Sequence, residues 1–91
     1  MSGVVVVIVK MMPDSVDEDF EKIKREAEKV LIKEGAKTIS FELSDVAFGL
    51  KAVMAKFAFP EDKGTDLIET ILGKIKGVSS VDIEHYKRAF G

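Results

Sequence analysis

The sequence predicts an α+β domain with element order βαββαβ, a split β-α-β sandwich in which a four-stranded antiparallel sheet carries two helices on one face. Three observations predict it. Two stretches place apolar residues three and four apart, and each follows a strand-like run. Between them, two alternating segments are joined by a short glycine-containing turn, which reads as a hairpin. The two βα units repeat one another roughly, and right-handed crossovers leave few other ways to join them.

The elements follow in order. Val4-Val5-Val6-Val7-Ile8-Val9 is a run of six β-branched residues, read as a strand buried on both faces and central in the sheet. It is too short to span a bilayer, and Lys10 follows where a signal peptide would want a longer apolar stretch and a small-residue cleavage site. Pro13 ends the strand. Ser15 and Glu18 match the S-x-x-E capping box, and Val16, Phe20, Ile23, Ala27, Val30 and Leu31 then form the apolar face of a helix of about five turns. Gly35 stands where that helix needs a left-handed residue. Ile39, Phe41 and Leu43 alternate with Ser40, Glu42 and Ser44 in a half-buried strand, and Asp45 to Gly49 make the turn. A third strand runs from about Leu50 to Phe59, with Val53, Ala55, Phe57 and Phe59 on one face, and Pro60 stops it. Gly64 or Thr65 caps a second helix with Leu67, Ile68, Ile71, Leu72 and Ile75 inward, and Gly77 ends it. The last strand covers about Val78 to Tyr86, with Lys87 and Arg88 beyond it.

Composition narrows the function. The 91 residues make one domain, with little material left over for a deep, water-excluded active site. Fourteen basic residues against sixteen acidic ones supply no clustered positive field for nonspecific nucleic-acid binding. The absence of cysteine removes disulfides, thiolate metal sites and cysteine nucleophiles, and an intracellular, cytoplasmic setting is the simplest expectation.

Catalytic patterns are thin. His85 is the only histidine, which rules out a paired-histidine metal site and reads as a surface or strand-packing residue. None of Ser40, Ser44, Ser79 and Ser80 sits in a G-x-S-x-G elbow. Asp14, Asp17, Glu18 and Asp19 gather where carboxylates favour a helix N-terminus. No cofactor and no catalytic residue is expected, and the chain reads as a non-enzyme. Lys56-Phe57-Ala58-Phe59 echoes the aromatic strand on which RNA-recognition domains stack bases, but the same parity suits core packing.

Two segments remain. Phe48 lies at the tip of the hairpin turn Asp45-Val46-Ala47-Phe48-Gly49-Leu50-Lys51. Its ring either folds back onto the core edge or stands out as an aromatic anchor for a partner. The tail Tyr86-Lys87-Arg88-Ala89-Phe90-Gly91 gathers two cations and an aromatic, either as a frayed end or as a segment that orders on binding.

Val46-Ala47-Phe48-Gly49-Leu50-Lys51-Ala52, then Glu61-Asp62-Lys63-Gly64-Thr65-Asp66, then Gly77-Val78-Ser79-Ser80-Val81 resemble the archaeal elongation factor 1-beta family, and the likeness covers essentially the whole chain. The resemblance implies that residues 1–91 form a single guanine-nucleotide exchange domain acting on the GTPase elongation factor 1-alpha, with no membrane and no direct nucleic-acid partner. It implies docking through Phe48 and Lys51. It also implies a basic side chain near the C-terminal end that disturbs the GTPase's Mg²⁺ and phosphate site. Counting from Val81-Asp82-Ile83 places that residue at Arg88, with Lys87 adjacent. A small-molecule-sensing or RNA-binding module on the same fold is the alternative.

Overall fold

The valine-rich start forms β1 (Val4–Pro13), one of two central strands. In the computed structural model, which describes residues 3–88, the other elements are α1 (Phe20–Lys33), β2 (Lys37–Asp45), β3 (Lys51–Pro60), α2 (Thr65–Gly73) and β4 (Val78–Arg88). A 3₁₀ turn at Glu61–Lys63 leads into α2. The strand order is β2-β3-β1-β4 with every neighbouring pair antiparallel, the ferredoxin-like arrangement that the element order predicts.

The core lies between the helices and one face of the sheet. Val5, Val7, Val9 and Met11 of β1 and Val53, Ala55, Phe57 and Phe59 of β3 pack with Ile23, Ala27 and Leu31 of α1 and Ile68 and Leu72 of α2. Each of the larger side chains contributes on the order of 1.5–3 kcal/mol by leaving water. The Phe57 and Phe59 rings meet edge to face, their centroids 5.8 Å apart, and both are sealed from solvent.

The expectation that β1 is buried on both faces holds for one face only. Val6 and Ile8 alternate with the core valines and stay half-buried, because among the described residues no second layer covers their side of the sheet. Six β-branched residues mark a central strand, but they do not say how many layers flank it.

The N-terminal cap of α1 also differs from expectation. The helix starts at Phe20, and Asp19 caps it, its Oδ1 accepting from the Glu21 and Lys22 amides at 3.0 and 3.3 Å. Ser15 instead closes a local turn by accepting from the Asp17 amide at 3.3 Å, and Val16 is exposed outside the helix. The helix therefore spans 14 residues, about four turns. At its other end Gly35 adopts φ +96°. The Gly35 and Ala36 amides donate back to the Ile32 and Leu31 carbonyls at 3.0 and 2.9 Å, the paired bonds of a Schellman motif. α2 ends earlier than expected, at Gly73, and Gly77 lies in the turn that opens β4, where its carbonyl accepts from the Asp14 amide at 2.8 Å.

β4 runs two residues further than expected, through Lys87 and Arg88. Both pair with β1, Lys87 opposite Val6 and Arg88 opposite Val5, which keeps them within the ladder. A bulge precedes them: Ile8 pairs with His85 while Val9 pairs with Ile83, leaving Glu84 as an extra residue. Since side chains alternate along a strand, that single insertion reverses the face of every residue after it.

Candidate functional site

Two groups of side chains stand out, one at each end of the sheet. At the first, β2 and β3 pair as far as Asp45 and Lys51, and the five residues between them form the tip. The Val46 amide donates to the Leu50 carbonyl at 3.0 Å, and the Leu50 amide to the Ala47 carbonyl at 2.9 Å. This tight loop holds Phe48 at φ +53°, a left-handed conformation that residues with a Cβ rarely adopt. The ring is 99% exposed, so the reading in which it folds onto the core does not hold. Lys51 lies 4.0 Å from Asp45 across the base of the loop, and both are largely open to solvent.

Sequence reasoning missed two other exposed apolar residues at this end of the hairpin. Leu43 and Val46 are exposed near the same tip, making it an apolar end rather than one isolated aromatic. Leu43 continues the alternation of Ile39 and Phe41 on the helix side of the sheet, yet it is exposed where they are half-buried. An alternation that outruns the helices was the available signal.

At the opposite end, the bulge in β4 places Lys87 on the open face beside Val6 and Arg88 on the helix side beside Val5. Arg88 is engaged. Its Nε donates to Glu61 Oε1 at 2.7 Å, and its Nη2 approaches the same oxygen at 2.5 Å. Lys87 is exposed and forms no ion pair among the described residues. In the sequence Glu61 stands out only within the segment Glu61-Asp62-Lys63-Gly64-Thr65-Asp66, and nothing local links it to a residue 27 positions on. Ala89, Phe90 and Gly91 lie outside the described residues.

The structure therefore brings Lys87 and Arg88 to one corner and Phe48 and Lys51 to another, but it does not bring the pairs together. Val5 is level with both Arg88 and Phe59, and eight residue steps separate Phe59 from Lys51, a distance of roughly 27 Å at strand rise. The longest dimension of the molecule is 44 Å.

Other chemistries find little support. Among the described residues no three His, Cys, Asp or Glu side chains gather as a metal site, and no helix is long and apolar enough to cross a membrane. His85 is exposed on β4. The aromatic pair that suggested base stacking is in the core, leaving Lys56 as the exposed residue of that motif. An apolar hollow beside Gly3, Gly35 and Pro60 measures about 160 Å³, below the roughly 300 Å³ of small-molecule sites, and a groove of about 500 Å³ on α1 is lined only by the charged residues Lys22, Arg25, Glu26, Glu28 and Lys29 rather than by apolar ones.

Comparison with known proteins identifies the family. A family model described as EF-1 guanine nucleotide exchange domain matches residues 6–89. Elongation factor 1-beta of Methanocella arvoryzae is 40% identical over 87 residues, covering 94% of this chain and 97% of the relative. The protein of the same name from Haloarcula marismortui is 39% identical over 83 residues, covering 90% and 93%. That of Staphylothermus marinus is 33% identical over 86 residues, covering 92% and 94%. With these matches running from the first strand to the terminal cations, the chain belongs to the EF-1 guanine nucleotide exchange domain family.

Proposed function

We propose that this chain acts in the cytoplasm as an exchange factor for elongation factor 1-alpha, replacing GDP with GTP by docking on the GTPase and disturbing its Mg²⁺ and phosphate site. One observation carries the reading. A domain matched to an exchange family along nearly its whole length presents a fully exposed aromatic at one end of its sheet and terminal cations at the other.

The two ends suit different work. Phe48 with Leu43 and Val46 offers an apolar anchor, the kind of side chain that dominates interface energetics when a partner pocket removes it from water. The cationic end suits electrostatic competition. Mg²⁺ bridges phosphate oxygens in a GTPase and holds its switch segments, and an ammonium placed among those oxygens competes with the ion for them. Weakened Mg²⁺ coordination loosens GDP, and the vacated site then takes up GTP by mass action. Lys87 suits this role better than Arg88, the residue that counting along the sequence favoured. Arg88 already has a carboxylate partner in Glu61, whereas Lys87 stands exposed on the open face.

Release of labelled GDP from elongation factor 1-alpha, followed at saturating concentrations of this protein, tests the proposal. Lys87→Ala and the double variant with Arg88→Ala should still bind the GTPase but fail to accelerate release. Raising Mg²⁺ should slow exchange by the unsubstituted protein and leave the variants little acceleration to lose. Cations that only steer encounter would behave differently, slowing binding at low salt while preserving full exchange at saturation. Full exchange by the saturated double variant would rule out the competition mechanism.

A further inference from the structure

Three parts of the chain meet at the cationic corner: the residue before β1, the end of β4 and the turn after β3. Glu61 touches the other two. Its backbone amide donates to the Gly3 carbonyl at 3.0 Å, and its carboxylate receives Nε and Nη2 of Arg88. Glu61 is the better shielded partner, its side chain 28% exposed against 62% for Arg88. The environment of Gly3 fits this arrangement, because a Cβ there would strike Glu61 Oε2. What glycine provides at position 3 is room for the carboxylate.

β4 is an edge strand, held along one side only, and the last residues of such a strand fray unless something ties them down. The Arg88 side chain reaches back to Glu61, so it ties the end of β4 to a turn that is itself bonded to the start of β1. Lys87 immediately precedes that tie and projects to the opposite face.

We propose that Glu61 is a positioning residue for nucleotide exchange: by holding Arg88 it fixes the end of β4 and so sets where the Lys87 ammonium stands. This rests on the reading of Lys87 as the competing cation. Glu61 acts through Arg88 without touching the GTPase's nucleotide site. The pair lowers the number of conformations from which Lys87 must be selected, and its effect belongs to the saturated exchange rate rather than to affinity.

The experiment is GDP release from elongation factor 1-alpha measured across a range of exchange-factor concentrations, which separates the saturated rate from the half-saturating concentration. Glu61→Gln should lower the saturated rate by about two- to fivefold, the range of an ion pair at this exposure, with half-saturation unchanged. Arg88→Lys, which keeps the pair, should retain the rate. Arg88→Gln should lose as much as Glu61→Gln, and the double glutamine variant should lose no more than either alone, since both break one interaction. Additive losses, an unchanged rate in Glu61→Gln, or a faster one would each overturn the proposal. Lys87→Ala separates the two levels. If it is inactive while Glu61→Gln is fully active, only the positioning role fails. If Lys87→Ala is fully active, the competing-cation reading fails, and the positioning role with it.

Discussion

Phe48 sits in a conformation that costs free energy and recovers none of it by burial. A left-handed backbone disfavours a side chain with a Cβ by about 1–2 kcal/mol, and the ring, 99% exposed, gives nothing back in the free protein. Glycine should therefore serve the isolated fold better. Phe48→Gly is expected to leave the thermal midpoint unchanged or raise it, by up to about 1 kcal/mol of stability. The same variant should weaken binding to the GTPase by roughly 2 kcal/mol, as loss of an anchoring aromatic does. A fall of several degrees in the melting midpoint, with binding intact, would contradict both halves of the argument. Phe57 is the contrast: 1% exposed and in edge contact with Phe59, it should cost on the order of 3–5 kcal/mol when replaced by alanine.

Which elements form was legible in the sequence; how they end was less so. Period-two alternation in β2 and β3 and the four-residue spacing of Ile23, Ala27 and Leu31 report local geometry, and local geometry is what a sequence records directly. The cap of α1 is different, because Asp14, Ser15, Asp17 and Asp19 all offer an oxygen within one short stretch. Ser15 and Glu18 had the right spacing, but the tie from Asp14 to Gly77 keeps this stretch in the connection from β1, and Asp19 is the acceptor directly before the helix. Asp19→Ala should accordingly cost about 1 kcal/mol in thermal or denaturant unfolding. Ser15→Ala, which loses one local turn bond at an exposed site, should stay within about 0.5 kcal/mol. Equal losses would restore the capping box. The expectation that Lys87 and Arg88 lie beyond the last strand fails for a related reason, since the ladder with β1 continues through both. One extra residue at Glu84 decides their faces, and the partner that engages Arg88 lies far away in sequence. Nothing in the run Tyr86-Lys87-Arg88 encodes either fact.

For the molecule as a whole, the sheet is both core and frame. One face is sealed by the helices, and the other runs open between the apolar tip and the cationic corner, so two ends separated by roughly 27 Å along the strands are joined by continuous hydrogen-bonded ladder. That spacing has a consequence under the proposed function. A frame of fixed length acts as a gauge: once one end is seated, the other is held at a high effective concentration over one spot on the partner, and over no other. Two weak contacts then behave as one selective contact, and a GTPase whose pocket and nucleotide site lie at a different spacing is refused without any repulsive group. Adding two residues to each of β2 and β3 beside the turn would preserve strand parity and move Phe48 outward by about 7 Å. The lengthened protein should fold, melt near the original temperature, and bind the GTPase no better than Phe48→Gly does. Undiminished binding would mean that the hairpin bends to fit, and that the distance between the ends is not what the partner measures.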